Sequence, residues 1–176
     1  MMKLSATLLA VVFLTLSTGC FEVVEEISIL DGRKGKGALT INLSQAKTRL
    51  SSILLMDSIN GQRVPSEQEI KSKLAQIRNI AEKTPGMHNV ALESDFDNFV
   101  FSLQCDFDSV ECINHFVHNV EQQHIVLKNN KVIPKQLFSY SGNRYFRNSD
   151  YYIDPVQKEK LENEKTALTN ARYVSV

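Results

Sequence analysis

Phe21-Glu22-Val23-Val24-Glu25-Glu26-Ile27-Ser28-Ile29, then Leu30-Asp31-Gly32-Arg33-Lys34-Gly35-Lys36-Gly37, then Ala38-Leu39-Thr40-Ile41-Asn42-Leu43, is the stretch whose reading decides the fold. Phe21, Val23, Ile27 and Ile29 alternate with Glu22, Glu26 and Ser28, the two-residue period of a strand with one face buried. Asp31 to Gly37 supply turn residues, and Leu39, Ile41 and Leu43 resume the alternation, so residues 22–43 read as a β-hairpin. Glu25 alone interrupts the apolar face.

Working outward, Ser44 stands where a helix cap belongs, ahead of Ala46, Leu50, Ile53 and Leu54 on one face, and this first helix is expected to end toward Asn60-Gly61. A second helix comes next. Ser66 and Glu69 have the spacing of a capping box, Pro65 and Ile70 that of a hydrophobic staple, and Ile70, Leu74, Ile77 and Ala81 carry the stripe to Pro85-Gly86. Both helices are amphipathic, so each has an apolar face to lay on something.

His88 to Glu93 and Asn98 to Asp106 read as a second hairpin across Ser94-Asp95-Phe96-Asp97, with Phe99, Phe101, Leu103 and Cys105 on its core face. Asp108, with Glu111 at the return position, is the expected cap of a third helix whose stripe is Ile113, Phe116, Val117 and Val120. Lys131 to Tyr152 holds a further strand or hairpin about the Ser141-Gly142-Asn143 turn, and Pro134 confines its first half to an edge. Asp154-Pro155 opens a last helix, polar from Lys158 to Lys165. The order ββααββα, then strands and a polar C-terminal helix, predicts an α+β fold: an antiparallel sheet of hairpins with amphipathic helices mainly on one face. No repeat or long linker divides residues 20–176, which are expected to form a single globular domain.

Ahead of that domain, Lys3 precedes an apolar run from Leu4 to Leu16, and Leu16-Ser17-Thr18-Gly19-Cys20 closes it. A helix over that run would span only about 20 Å against a hydrocarbon core of about 30 Å, so residues 1–19 read as a signal peptide to be removed. This leader resembles that of bacterial lipoproteins. The resemblance implies cleavage before Cys20, a diacylglycerol thioether on its sulfur, an acylated N-terminus of the palmitate kind, and localisation on a membrane of the cell envelope, facing the periplasm or at the outer membrane. Each buried methylene adds about 0.8 kcal/mol, so several chains hold firmly. The hairpin at 22–43, with its Asp-Gly turn, is also similar to the start of small lipoproteins of the mycobacterial LppM type. The protein is accordingly expected to be a lipid-anchored envelope protein with a binding or structural role, partnered by the membrane through Cys20 and by an envelope protein. The alternative is a lipoprotein enzyme or ligand carrier with a pocket between helices and sheet.

With Cys20 lipidated, Cys105 and Cys112 remain in a compartment where disulfides persist. One ends a strand face and the other begins a helix, so they are expected to pair, a closure worth about 2.5 kcal/mol in the chain-entropy model. Two packed thiols are the alternative.

Twenty basic and twenty acidic side chains balance, and loss of Lys3 leaves one acid in excess, so no basic field awaits nucleic acid. His115 and His118 lie three apart with His124 beyond them, but nothing completes a metal site. Asp95-Phe96-Asp97 and Asp106-Phe107-Asp108 repeat a triplet, yet nine strand steps of about 3.3 Å hold them roughly 30 Å apart. Ser44 and Lys47 lack the companion motifs of a serine hydrolase, and Gly32, Gly35 and Gly37 sit in a turn rather than a phosphate loop. No catalytic residue, metal or cofactor is expected. The surface candidate is the run from Phe138 to Tyr152, in which Tyr140, Arg144, Tyr145, Arg147 and Tyr151 are types that carry interface energy. In an edge hairpin only half of them can point outward.

Overall fold

The computed structural model describes residues 21–30, 33–59, 61–123, 136–142, 144–148 and 171–175. The leader, Cys20, His124, Pro134, Tyr151 and the polar helix expected after Asp154 lie outside them.

The first hairpin forms as its alternation requires. β1 (Phe21–Ile29) and β2 (Gly35–Asn42) pair antiparallel, with Glu22 opposite Asn42 and Ile29 opposite Gly35. Beyond it the chain departs from expectation. Ser44 does not cap a helix with its side chain; its N–H is accepted by Asn42 Oδ1 at 3.0 Å, and Ser44–Ala46 form a 3-10 turn. The helix proper, α1 (Lys47–Leu54), buries none of its residues and ends early. Two short strands come after it, β3 (Ser58–Ile59) and β4 (Gln62–Arg63), about Gly61 at φ +76°. Gly61 therefore turns a hairpin rather than stopping a helix.

α2 (Glu67–Lys83) starts on the capping box read from the sequence: Ser66 Oγ accepts the Glu69 N–H and the Glu69 carboxylate accepts the Ser66 N–H. It buries Ile80 and Ala81, and Gly86, at φ +80°, turns the chain into β5 (Met87–Asp95). β6 (Val100–Phe107) returns antiparallel. Phe99 is not on the strand. It sits in the turn at φ +54°, buried, with its carbonyl accepting the Leu43 N–H. α3 (Val110–Gln122) has Ser109, not Asp108, as its N-cap residue, because the Asp108 carboxylate is engaged by His88 across the sheet edge.

β7 (Phe138–Ser141) and β8 (Arg144–Arg147) make a separate hairpin, with Gly142 at φ +63° in its turn. β9 (Ala171–Ser175) adds an edge that the sequence pattern did not reveal, parallel to β1 with Phe21 opposite Ala171. The main sheet has the order β5-β6-β2-β1-β9, so the α+β architecture stands, antiparallel except at that edge. No helix among the described residues is long and apolar enough to cross a membrane.

The core gathers on one face of the sheet. Phe107, Val110 and Phe138 are nearly fully buried, and Ile27, Ile29, Cys112, Ile113, Leu137, Tyr140 and Tyr145 pack around them.

The capping box sets a pH dependence. Arg63 and the Ser66 amide and hydroxyl hold the Glu69 carboxyl down at about 2, from an ordinary 4.5. A depressed carboxylate contributes stability above its unfolded pKa and loses it as pH falls through the folded one. Glu69→Ala should therefore lower the thermal midpoint at pH 7, and the gap from the unaltered protein should narrow between pH 4.5 and pH 2. Ser66→Ala should cost about 1 kcal/mol, or about 2–4 °C, in the same melting series.

Candidate functional site

The inner face of the sheet is laid out in cross-strand rows. One row runs Ile27, Gly37, Cys105, and the next runs Glu25, Leu39, Leu103. α3 lies opposite and contributes Ile113, Phe116 and Val117, while Leu137 and Phe138 close one side. Between sheet and helix is a cleft of about 330 Å3. Gly37 is one reason the space exists. A methyl placed there would meet Ile27 Cδ1 at 3.5 Å and Cys105 Sγ at 3.6 Å, ordinary contact distances, so the position leaves room that a side chain would occupy.

Glu25, which interrupts the alternation of β1, meets Arg147 at the cleft wall. Arg147 Nε donates to Glu25 Oε1 at 2.8 Å and Nη2 donates to Oε2 at 3.3 Å. Only 14% of the Glu25 side chain and 20% of the Arg147 side chain are exposed. The guanidinium also stands over the Phe138 ring at 6.0 Å. Two-point pairing of this kind fixes orientation as well as charge. Neither residue alone signals the pair, since they are separated by most of the chain; the break in the pattern at Glu25 is the only local sign.

A second, polar hollow of about 290 Å3 lies on the outer face, lined by Glu26, Ser28, Lys36, Asn89, Gln104 and Asp106 among others. A register shift between His88 and Ala91 puts Asn89 at φ +50°, from where its amide donates to Asp106 Oδ2 at 2.7 Å. His88 Nε2 lies 3.0 Å from Asp108 Oδ2, and Lys34 Nζ lies 3.7 Å from Oδ1. The hydrogen bond to His88, then its charge and that of Lys34, hold the Asp108 carboxyl below the usual range. These carboxylates are committed to structural partners. Among the described residues no group of three His, Cys, Asp or Glu side chains could hold a metal ion.

The residues singled out in the sequence are spread over the fold rather than gathered at one place. Alternation along β7 and β8 turns Tyr140, Tyr145 and Arg147 inward with Phe138, and leaves Arg144 and Phe146 outward. The five-residue partner surface is therefore split, with Tyr151 outside the described residues. His115 and His118 are exposed, and His118 Nε2 lies 2.8 Å from Gln122 Nε2. The disulfide expected between Cys105 and Cys112 is not formed; both are free thiols. Cys105 lines the cleft beside Gly37, whereas Cys112 turns toward Gly86 and has its Sγ 3.7 Å from Ser109 Oγ. Cleft residues such as Phe116 and Leu39 carry no sequence signal beyond ordinary core periodicity.

Burial pushes the Cys105 thiol above its ordinary value, with the neighbouring Asp106 and Cys112 acting in the same direction. A raised pKa means less thiolate at a given pH, so iodoacetamide should modify Cys105 more slowly in the native chain than in urea at about pH 8. The gap should narrow as pH rises toward the raised value, read by mass spectrometry of the peptide. Comparison with protein-family models, with curated proteins and with solved structures finds no match for this chain.

Proposed function

We propose that this is a lipid-anchored protein of the cell envelope whose α+β domain binds a small apolar molecule in the cleft between the sheet and α3. The observation that carries the binding part is the cleft itself: about 330 Å3 of space with an almost wholly apolar lining and one polar pair in its wall. Small-molecule sites have this character, with volumes of about 300–1,000 Å3, apolar walls and a few placed polar groups. The anchoring part rests on Lys3, the apolar run and Gly19-Cys20. β1 starts at Phe21, directly after Cys20, so an anchor there would hold the sheet close to a membrane, where apolar molecules concentrate. A contact with an envelope protein is favoured by one further observation. Arg144 and Phe146 face outward together on β8, with Phe146 49% exposed.

Two measurements test the two parts. Cys20→Ala should abolish labelling by a fatty-acid analogue and either release the protein from membranes or leave its precursor uncleaved; equal labelling of both forms would remove the anchor. For the cleft, every described strand and helix begins at or after Phe21, so the chain from residue 20 onward, carrying Cys20→Ser, keeps all of them and is the form to test. The neutral dye 1-N-phenylnaphthylamine should bind it with enhanced emission. Gly37→Val, which puts a side chain into the cleft at a position where a Cβ meets its neighbours at ordinary contact distances, should weaken dye binding about tenfold or more, with its melting transition showing that the variant is folded. Unchanged dye affinity in that variant would place binding elsewhere.

A further inference from the structure

We infer that the segment between β2 and α2, led by Leu55 and Met56 at the end of α1, is a second membrane contact that enters the headgroup layer of an anionic bilayer. It goes beyond the single lipid anchor at Cys20 and rests on that reading only for where the membrane lies.

The topology carries the placement. The start of β1, the end of β2 and the start of β6 share one end of the sheet, since Glu22 lies opposite Asn42 and Asn42 opposite Val100. The segment leaves from that end and returns to it. Where it leaves, the Phe99 carbonyl accepts the Leu43 N–H at 2.9 Å, Ser44–Ala46 pack against β1, and Lys47 Nζ donates to Asn98 Oδ1 at 3.3 Å. Where it returns, Arg63 pairs with Glu69 in the first turn of α2, and Lys71 stands over the Phe96 ring at 5.0 Å. That ring packs edge-on against Phe101 near the same end of β6. Phe21, the first residue of β1, is there as well, one residue after Cys20, so an anchor would bring this end of the sheet and the segment to the bilayer.

The composition fits an interface. α1 buries none of its residues, and directly after it Leu55 is 89% and Met56 51% exposed, Leu55 more than any other large apolar side chain among the described residues. Two consecutive apolar side chains held in water serve no core. Although the whole chain is balanced in charge, between Leu43 and Ser66 the basic residues Lys47, Arg49 and Arg63 outnumber the one acid, Asp57. Lys47 and Arg49 are exposed. Apolar side chains at the tip with basic ones beside them match a surface of lipid phosphates over acyl chains.

The chain contains no tryptophan, so an introduced one reports alone. Leu55→Trp and Leu30→Trp, each in the Cys20→Ser chain from residue 20 onward, put the reporter at two exposed positions. Leu30 follows the far end of β1, nine strand steps or about 30 Å from Phe21. A histidine tag ahead of residue 20 and a nickel-chelating lipid hold each folded variant, judged by its melting transition, on vesicles of phosphatidylglycerol and phosphatidylethanolamine, in place of the anchor. The Leu55→Trp emission should shift to shorter wavelength and be quenched by brominated acyl chains, while that of Leu30→Trp stays as it is in water. Arg49→Glu or Met56→Ser, added to Leu55→Trp, should cut the quenching by roughly half or more. No response from Leu55→Trp would overturn the lipid contact and leave the exposed pair to a protein partner. An equal response from Leu30→Trp, or quenching undiminished by both added substitutions, would overturn it too. Because the tag replaces the lipid, failure here leaves the labelling result at Cys20 standing, and failure of the labelling leaves this one standing.

Discussion

The structure depends on the close approach of the Phe107 ring to the backbone of Gly35. The two are register partners on β6 and β2, and the ring occupies the space that any side chain at position 35 would need. Seated there, Phe107 is almost fully buried, and α3 begins three residues later with Val110 packed beside it. Phe138 completes the cluster from the β7–β8 hairpin. That hairpin is fastened to α3 by one side chain: Asn114 Nδ2 donates to the Phe138 carbonyl at 2.7 Å, and Asn114 Oδ1 accepts the Phe138 N–H at 2.9 Å. The amide thus does for β7 what a neighbouring strand would do, satisfying both backbone groups of a buried residue.

From this constraint the cleft arises. Gly35 and Gly37 lie on the same face of β2, two residues apart, yet they have opposite fates. The Phe107 ring fills the place of any side chain at Gly35, whereas a methyl at Gly37 would meet Ile27, Cys105 and the edge of that ring only at ordinary contact distances. The cleft begins where the ring of Phe107 ends.

The ion pair belongs to the same geometry. Hydrophobic side chains at positions 25 and 147 would be equal to or better than a salt bridge for stability at such burial. What the pair adds is orientation, because a bidentate contact tolerates one placement of β8 over β1. It brings together two residues 122 positions apart.

Local chemistry was legible wherever it is complete within a few residues. The alternation of β1 and β2, the Ser66–Glu69 box, the stripe of α2 and the turn at Gly142 depend on neighbours, and the structure has them. Partners that are distant in sequence decided the rest. Asp108 had the right spacing for a cap but was claimed by His88, and Ser44 gave way to an Asn42 side chain that could reach its N–H. Phe99 left the strand because the hairpin turn takes it to positive φ while its ring stays buried. By itself, then, the sequence determined the elements and the faces they bury, since period and capping are short-range properties. Only the tertiary structure decided that β9 pairs with β1, that Glu25 meets Arg147, and that a cleft remains above Gly37. Each of those is set by which distant surfaces come into contact, and no local pattern encodes that.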